Sequence, residues 1–429
     1  MPGKQIIKRN HKDYLNLRRS EAQNHARTQQ SLYKAKRIKK PKRNPIGIFL
    51  SLDVFVWGFH YVKSRFGKKH PFLDYTHSAT GGVFEMYSEQ SGNKNKIRIV
   101  AAADWATYTE ESCRIGELMK KESGDYTIHL GDTYYVGAPA EIQSNFIGED
   151  APWPKGNSGT LALPGNHEFY SNGDAYFKRL LKTMFVRTKT GMVAQEASFF
   201  CLENDYWRII GLDTGYYSVG RLIIEWIIRP DAHLDHALVD WLKNQVKLAD
   251  DNRGLIIFSH HQYCSAFEDQ YPKPAEVLKE LIGADREVIW IWGHEHRFAV
   301  YGKYQSKNGI RAFGRCIGHG GMPPEIGKIK SGKEVYKEPE PERARESHLV
   351  FYDQRKKDII GKTIIGHNGY IVMDMDEDKL SIEYKDEKNW LFKEEWQVDL
   401  QTMKIAGKAW NNPAVDLKLV AGSFNDAVK

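Results

Sequence analysis

Tyr126-Thr127-Ile128-His129-Leu130, followed at once by Gly131-Asp132-Thr133-Tyr134-Tyr135, joins an apolar run to a polar tip. The run reads as a buried strand of a parallel sheet, which puts Asp132 at the strand's C-terminal edge. Loops leaving parallel strands converge at that edge, and open α/β sheets collect their ligands there. By itself a Gly-Asp pair after a strand is a turn, because Gly permits positive φ and Asp bonds its own backbone. The reading changes because the same grammar recurs four times in this chain.

Ile97 to Ala103 reads as a strand ending in Asp104. Thr160 to Leu163 ends in Pro164-Gly165-Asn166-His167-Glu168, Leu255 to Phe258 in Ser259-His260-His261, and Glu287 to Trp292 in Gly293-His294-Glu295-His296. Helices separate these strands. One has Thr109 as its cap, an apolar face of Ile115, Leu118 and Met119, and Gly124 as its stop. Another carries Leu234, Leu238, Trp241, Leu242 and Val246 on one face. Ser198–Leu202 and Trp207–Leu212 read as a hairpin about Glu203-Asn204-Asp205, and Gly369–Leu400 alternates like antiparallel strands. Pro323–Arg345, rich in Lys, Glu and Pro, reads as an exposed loop or insertion. The sum is a layered α/β domain that gains antiparallel strands toward its C-terminal end.

With 429 residues, 41% hydrophobic and 27% charged, the chain can bury one large core. Its net charge of +7 is unevenly placed. Residues 1–46 carry 14 Lys and Arg against Asp13 and Glu21, a net of +12, which leaves −5 for the rest. This gives a basic flexible arm over 1–46, an apolar and basic linker or interfacial element over 47–96, the main domain over 97–400 and a tail over 401–429. The apolar run Ile46–Val62, flanked by Lys63, Arg65, Lys68 and Lys69, is read as an element packed on the domain, an interfacial anchor, or part of a nucleic-acid-binding or targeting arm. An anionic membrane surface is one possible partner of residues 1–69, and nucleic acid a less favoured one, since no aromatics alternate with the basic residues. Cys113, Cys201, Cys264 and Cys316 are scattered without paired spacing and read as core residues. With no signal peptide recognised, the expected location is cytoplasmic, with membrane association through the arm.

The five tips bring together Asp104, Asp132, Asn166, His260, His294 and His296, with Tyr135 nearby. Carboxylate, amide, imidazole and phenol donors suit borderline-hard ions such as Fe, Mn or Zn. Seven candidate ligands exceed the needs of one ion, and a carboxylate in mid-cluster can bridge two. The ordered blocks Asp104-Trp105, Gly131-Asp132-Thr133-Tyr134-Tyr135, Gly165-Asn166-His167-Glu168, Ser259-His260-His261 and Gly293-His294-Glu295-His296 resemble the calcineurin-like metallophosphoesterase superfamily. Within it the similarity is to the purple acid phosphatase branch, because the superfamily's Asp-x-His is here Asp104-Trp105-Ala106.

The resemblance implies a β-sandwich flanked by helices. It also implies a phosphoester hydrolase with two divalent or trivalent ions, in which a metal-activated hydroxide attacks phosphorus in line. It assigns Asp104, Asp132, Tyr135 and His296 to one ion, and Asp132, Asn166, His260 and His294 to the other. His167 would stand beside the phosphate, with Glu168 orienting its imidazole. His261, Tyr170 and Arg297, next to the blocks, are substrate-binding candidates, and Gln262, Tyr263, Tyr216 and Tyr217 are further neighbours. The alternatives are a non-catalytic scaffold of the same fold, and a nuclease or phospholipid-directed phosphodiesterase using the arm.

Overall fold

A computed structural model describes residues 68–148, 150–188, 191–219, 231–283 and 285–429. The arm over 1–46 and the run Ile46–Val62 lie outside the described residues. Among those described, no helix is long and apolar enough to cross a membrane.

Two nine-stranded sheets face each other. In the first, Lys96–Ala102, Tyr126–His129 and Gly159–Ala162 run parallel side by side. Phe185–Thr188 and Gly191–Ala194 extend it antiparallel on one flank. On the other flank stand Gly369–Asp376, Lys379–Asp386, Trp390–Asp399 and Lys404–Asn411. The second sheet has a parallel centre of Trp207–Gly211, Gly254–Ser259, Glu287–Trp292 and Arg311–Ile317. Phe200–Glu203 and Val83–Glu85 border it on one side, and Phe298–Gln305, Leu349–Tyr352 and Lys418–Leu419 on the other.

Both sheets are buried on both faces, so their central strands are continuous apolar runs. The period of two then divides each strand between two cores. Ile99, Ala101, Ile128, Ile209, Phe258, Ile291 and Met373 fill the space between the sheets. Val100 and Ala102 face outward onto Ile115 and Met119 of the helix Glu110–Lys121, whose N-cap Thr109 accepts from the Ser112 N–H. Leu255, Ile257 and Trp290 face outward onto Leu238, Trp241 and Leu278 of the helices His236–Asn244 and Lys273–Ile282. The layers are therefore helix, sheet, sheet, helix, as the family resemblance implies.

Two stretches differ from the sequence reading. Residues 323–345 hold the antiparallel strands Glu325–Lys330 and Lys333–Tyr336, which join Asp358–Ile360 and Thr363–Ile365 in a separate four-stranded sheet. The Lys and Glu content that suggested a loop belongs to the solvent face of this small sheet. Residues 401–429 are part of the domain and not a tail. Lys404–Asn411 pairs along its whole length with Trp390–Asp399. The Ala427 carbonyl accepts from Arg315, itself wholly buried between the sheets and paired with Glu394 at 2.6 Å. The four cysteines are buried and free.

Candidate functional site

The five tip-bearing strands, three in one sheet and two in the other, release their polar tips at the same end of the sandwich. Asp104, Asp132 and His294 have positive φ, at 54°, 69° and 65°. This left-handed conformation costs an L-residue roughly 1–2 kcal/mol, and such strain gathers where a site requires a particular side-chain direction. Here it turns the chain out of each strand while aiming the side chain back over the strand end. Gly131 and Gly165 allow the tips to meet. A Cβ on Gly131 would stand 2.6 Å from the Gly165 nitrogen, and one on Gly165 would stand 2.1 Å from Asp132 Oδ1.

Asp132 lies at the middle. Its Oδ1 accepts from the His167 backbone N–H at 3.0 Å, while Oδ2 stands 3.1 Å from the Tyr134 hydroxyl and 3.3 Å from His260 Nε2. On one side the Tyr134 hydroxyl is 2.8 Å from both Asp104 Oδ1 and His296 Nε2. The second Asp104 oxygen accepts from the His294 N–H at 2.8 Å. On the other side His260 Nε2 is 3.3 Å from Asn166 Oδ1. His260 Nδ1 donates to the Leu130 carbonyl, which turns Nε2 toward the centre. Donor atoms of His260, His261 and His294 lie within 4.8 Å of one another, as do those of Asp104, Asp132 and His260.

These donors fit metal ions. Ligands at about 2.1 Å in an octahedron stand about 3.0 Å apart, close to the separations among Asp104, Asp132, Tyr134 and His296. The set is oxygen and imidazole nitrogen, with no thiol. Burial pushes the Asp132 carboxyl up, but His167 and His260 outweigh it and hold the group well below the usual carboxylate range. A third histidine and carboxylate group, His367, Asp386 and Glu387, is neutralised by Arg355 on Asp386 and Lys357 on Glu387.

Several expected residues stand differently. The phenol among the carboxylates is that of Tyr134. Tyr135 meets the cluster through its backbone, its carbonyl accepting from His167 Nδ1 at 2.5 Å. Both residues lie in the turn that follows the strand, and the path of that turn brings the Tyr134 ring to the carboxylates. Glu168 does not orient His167. Its buried Oε2 accepts from the backbone N–H groups of Asp132 at 3.2 Å and Gly165 at 2.7 Å, tying two site loops together. Tyr170 accepts from Asn166 Nδ2 at 2.9 Å, which directs Asn166 Oδ1 toward His260. His261 is buried, with Nδ1 3.2 Å from the Thr214 hydroxyl. Arg297 stacks on Phe267 at 3.7 Å and lies 3.6 Å from Glu295. Tyr263 is a core residue stacked on Trp290. Thr214 and the Asp132 half of the Glu168 clamp carry no local signal, because their partners are 47 and 36 residues distant.

The sequence profile of the family described as calcineurin-like phosphoesterase matches residues 97–298. A search of curated proteins finds no match. Among solved structures the chain is similar to a structure of PhoD, at 12% identity over 77% of this chain and 73% of that one, with a TM-score of 0.45. It is also similar to Vps29 from Cryptosporidium parvum, at 10% identity over 74% and 98% with a TM-score of 0.26. A single mutant of Vps29 from Entamoeba histolytica matches at 6% identity over 74% and 99%, with a TM-score of 0.24.

Proposed function

Since residues 97–298 match the calcineurin-like phosphoesterase family, we propose that the protein is a metal-dependent hydrolase of phosphoester bonds whose strand tips hold two cations sharing Asp132. The observation that carries this reading is the position of Asp132 Oδ2, within 3.3 Å of donors on both sides. Asp104, Asp132, Tyr134 and His296 would hold the first ion, with Tyr134 in the place the motif gives to Tyr135. Asp132, Asn166, His260 and His294 would hold the second. When bound, the pair supplies Lewis acidity toward the phosphoryl oxygens and a nucleophilic water oxygen near neutral pH.

Hydrolysis joins a water oxygen to phosphorus, breaks the bond to the leaving oxygen and delivers one proton to that oxygen. His167 is the group placed to hold this proton. Its Nδ1–H is tied to the Tyr135 carbonyl, so Nε2 faces the centre, 3.7 Å from Asp132 Oδ2. Burial lowers the affinity of this imidazole for a proton, so a proton taken up at Nε2 is readily given away.

The test is metal counting by elemental mass spectrometry, with hydrolysis of p-nitrophenyl phosphate and its bis ester after reloading with Mn, Zn or Fe. Two ions per chain are expected. Asp132→Ala should lose metal and turnover together, and His167→Ala should keep its metal while slowing about 100-fold. Undiminished metal and activity in Asp132→Ala would refute the shared ligand.

A further inference from the structure

A cavity of about 360 Å³ opens beside His294 and is lined also by Gln262, Phe267, Glu268, Asp269, Tyr271 and Arg343. His294 belongs to the second ligand set, so a phosphoester held at the centre has this cavity next to it. We propose that the cavity receives the alcohol portion of the substrate and selects an alcohol bearing an ammonium group. The inference rests on the phosphoesterase reading above.

The lining is rich in acceptors. Gln262 is 1% exposed; its Nε2 donates to the Asp269 carbonyl at 2.7 Å, and its Oε1 has no hydrogen-bond partner among the described residues. A buried amide oxygen without a partner is costly, and a ligand donor would satisfy it. Glu268 and Asp269 add two exposed carboxylates. Against them the lining has one cation, Arg343, which donates to the Glu268 carbonyl at 3.0 Å. Arg297 is engaged behind Phe267, between Glu295 at 3.6 Å and Glu268 at 3.8 Å. Tyr271 closes the side next to His261, its ring 5.1 Å from that imidazole. An ammonium offers three donors and a positive charge, which suits the two carboxylates and the amide oxygen of the cavity.

The experiment is calorimetric binding of 2-aminoethyl phosphate and of n-propyl phosphate to the full-length Mn-loaded protein. The two probes have nearly the same shape and differ in the terminal ammonium. The aminoethyl ester should bind about tenfold more tightly, the scale of one charge-assisted contact. The combined Glu268→Gln and Asp269→Asn variant should bring the ratio to within about twofold. A ratio of affinities on one protein cancels any general change in metal loading, and both substitutions are at exposed positions that leave the fold intact. Equal affinities in the parent, or a tenfold preference that persists in the variant, would overturn the proposal. Preference without hydrolysis of any ester would remove the catalytic reading and keep the subsite. Hydrolysis of p-nitrophenyl phosphate without preference would remove the subsite alone.

Discussion

Replacing Glu168 by alanine and by glutamine separates two roles that the motif cannot distinguish. If this carboxylate oriented the catalytic imidazole by its charge, both substitutions would be damaging. The structure shows a single oxygen, Oε2, accepting both the Asp132 and the Gly165 N–H. A glutamine carbonyl offers the same acceptor in the same shape, whereas alanine leaves two buried donors empty. Each unsatisfied donor costs roughly 1–3 kcal/mol, so alanine should cost about 2–6 kcal/mol, shared between global stability and local release of the two loops. Those loops carry Asp132 on one side and Asn166 and His167 on the other, and a displacement of about 1 Å at such groups costs on the order of 100-fold in rate. Glu168→Ala should therefore lose at least about tenfold in metal affinity and about 100-fold in kcat/KM. Glu168→Gln should stay within about fivefold of the parent in both. Metal titration, thermal unfolding and steady-state hydrolysis of p-nitrophenyl phosphate read the three quantities. A glutamine variant as damaged as the alanine variant would refute the clamp and restore a role for the charge.

Two further outcomes concern buried charge. Burial raises the Asp213 carboxyl to about 6, against hydrogen bonds from Ser198, Tyr216 and Gly215. A folded value above the unfolded one means that its contribution to stability is present below about pH 4 and is lost as the pH rises through about 6. Asp213→Asn should accordingly gain on the parent by about 2–3 kcal/mol between pH 4 and pH 7.5 in denaturant unfolding, and a difference independent of pH would contradict this. Arg315→Met strands the Glu394 carboxylate between the sheets, with the neutral Tyr384 hydroxyl as its remaining side-chain hydrogen-bond donor. The expected loss is about 3–5 kcal/mol in guanidinium unfolding, and a change below about 1 kcal/mol would show that water reaches the site.

The strands that carry the tips were legible because a buried parallel strand is a short apolar run, and each such run here ends in residues with metal-binding chemistry. The helices between them were legible from their period and from Thr109 as a cap. Residues 401–429 were not, because Lys404–Asn411 becomes a strand by pairing with Trp390–Asp399, and an edge pairing has no local signature. Residues 323–345 misled for a related reason, since a small sheet with a solvated face has the composition of a loop.

The residue types at the centre and their order along the chain were determined by the sequence alone, because ligand chemistry resides in the side chains themselves. Which donors meet was decided by tertiary structure. Tyr134 and Tyr135 are neighbours with the same chemistry, and the backbone path of the turn alone places the Tyr134 hydroxyl 2.8 Å from Asp104. Glu168 follows His167 in the chain, yet its oxygen serves the backbone of Asp132, 36 positions earlier. Hydrogen bonds act over about 3 Å of space, whatever the separation along the chain, so only the folded arrangement selects them.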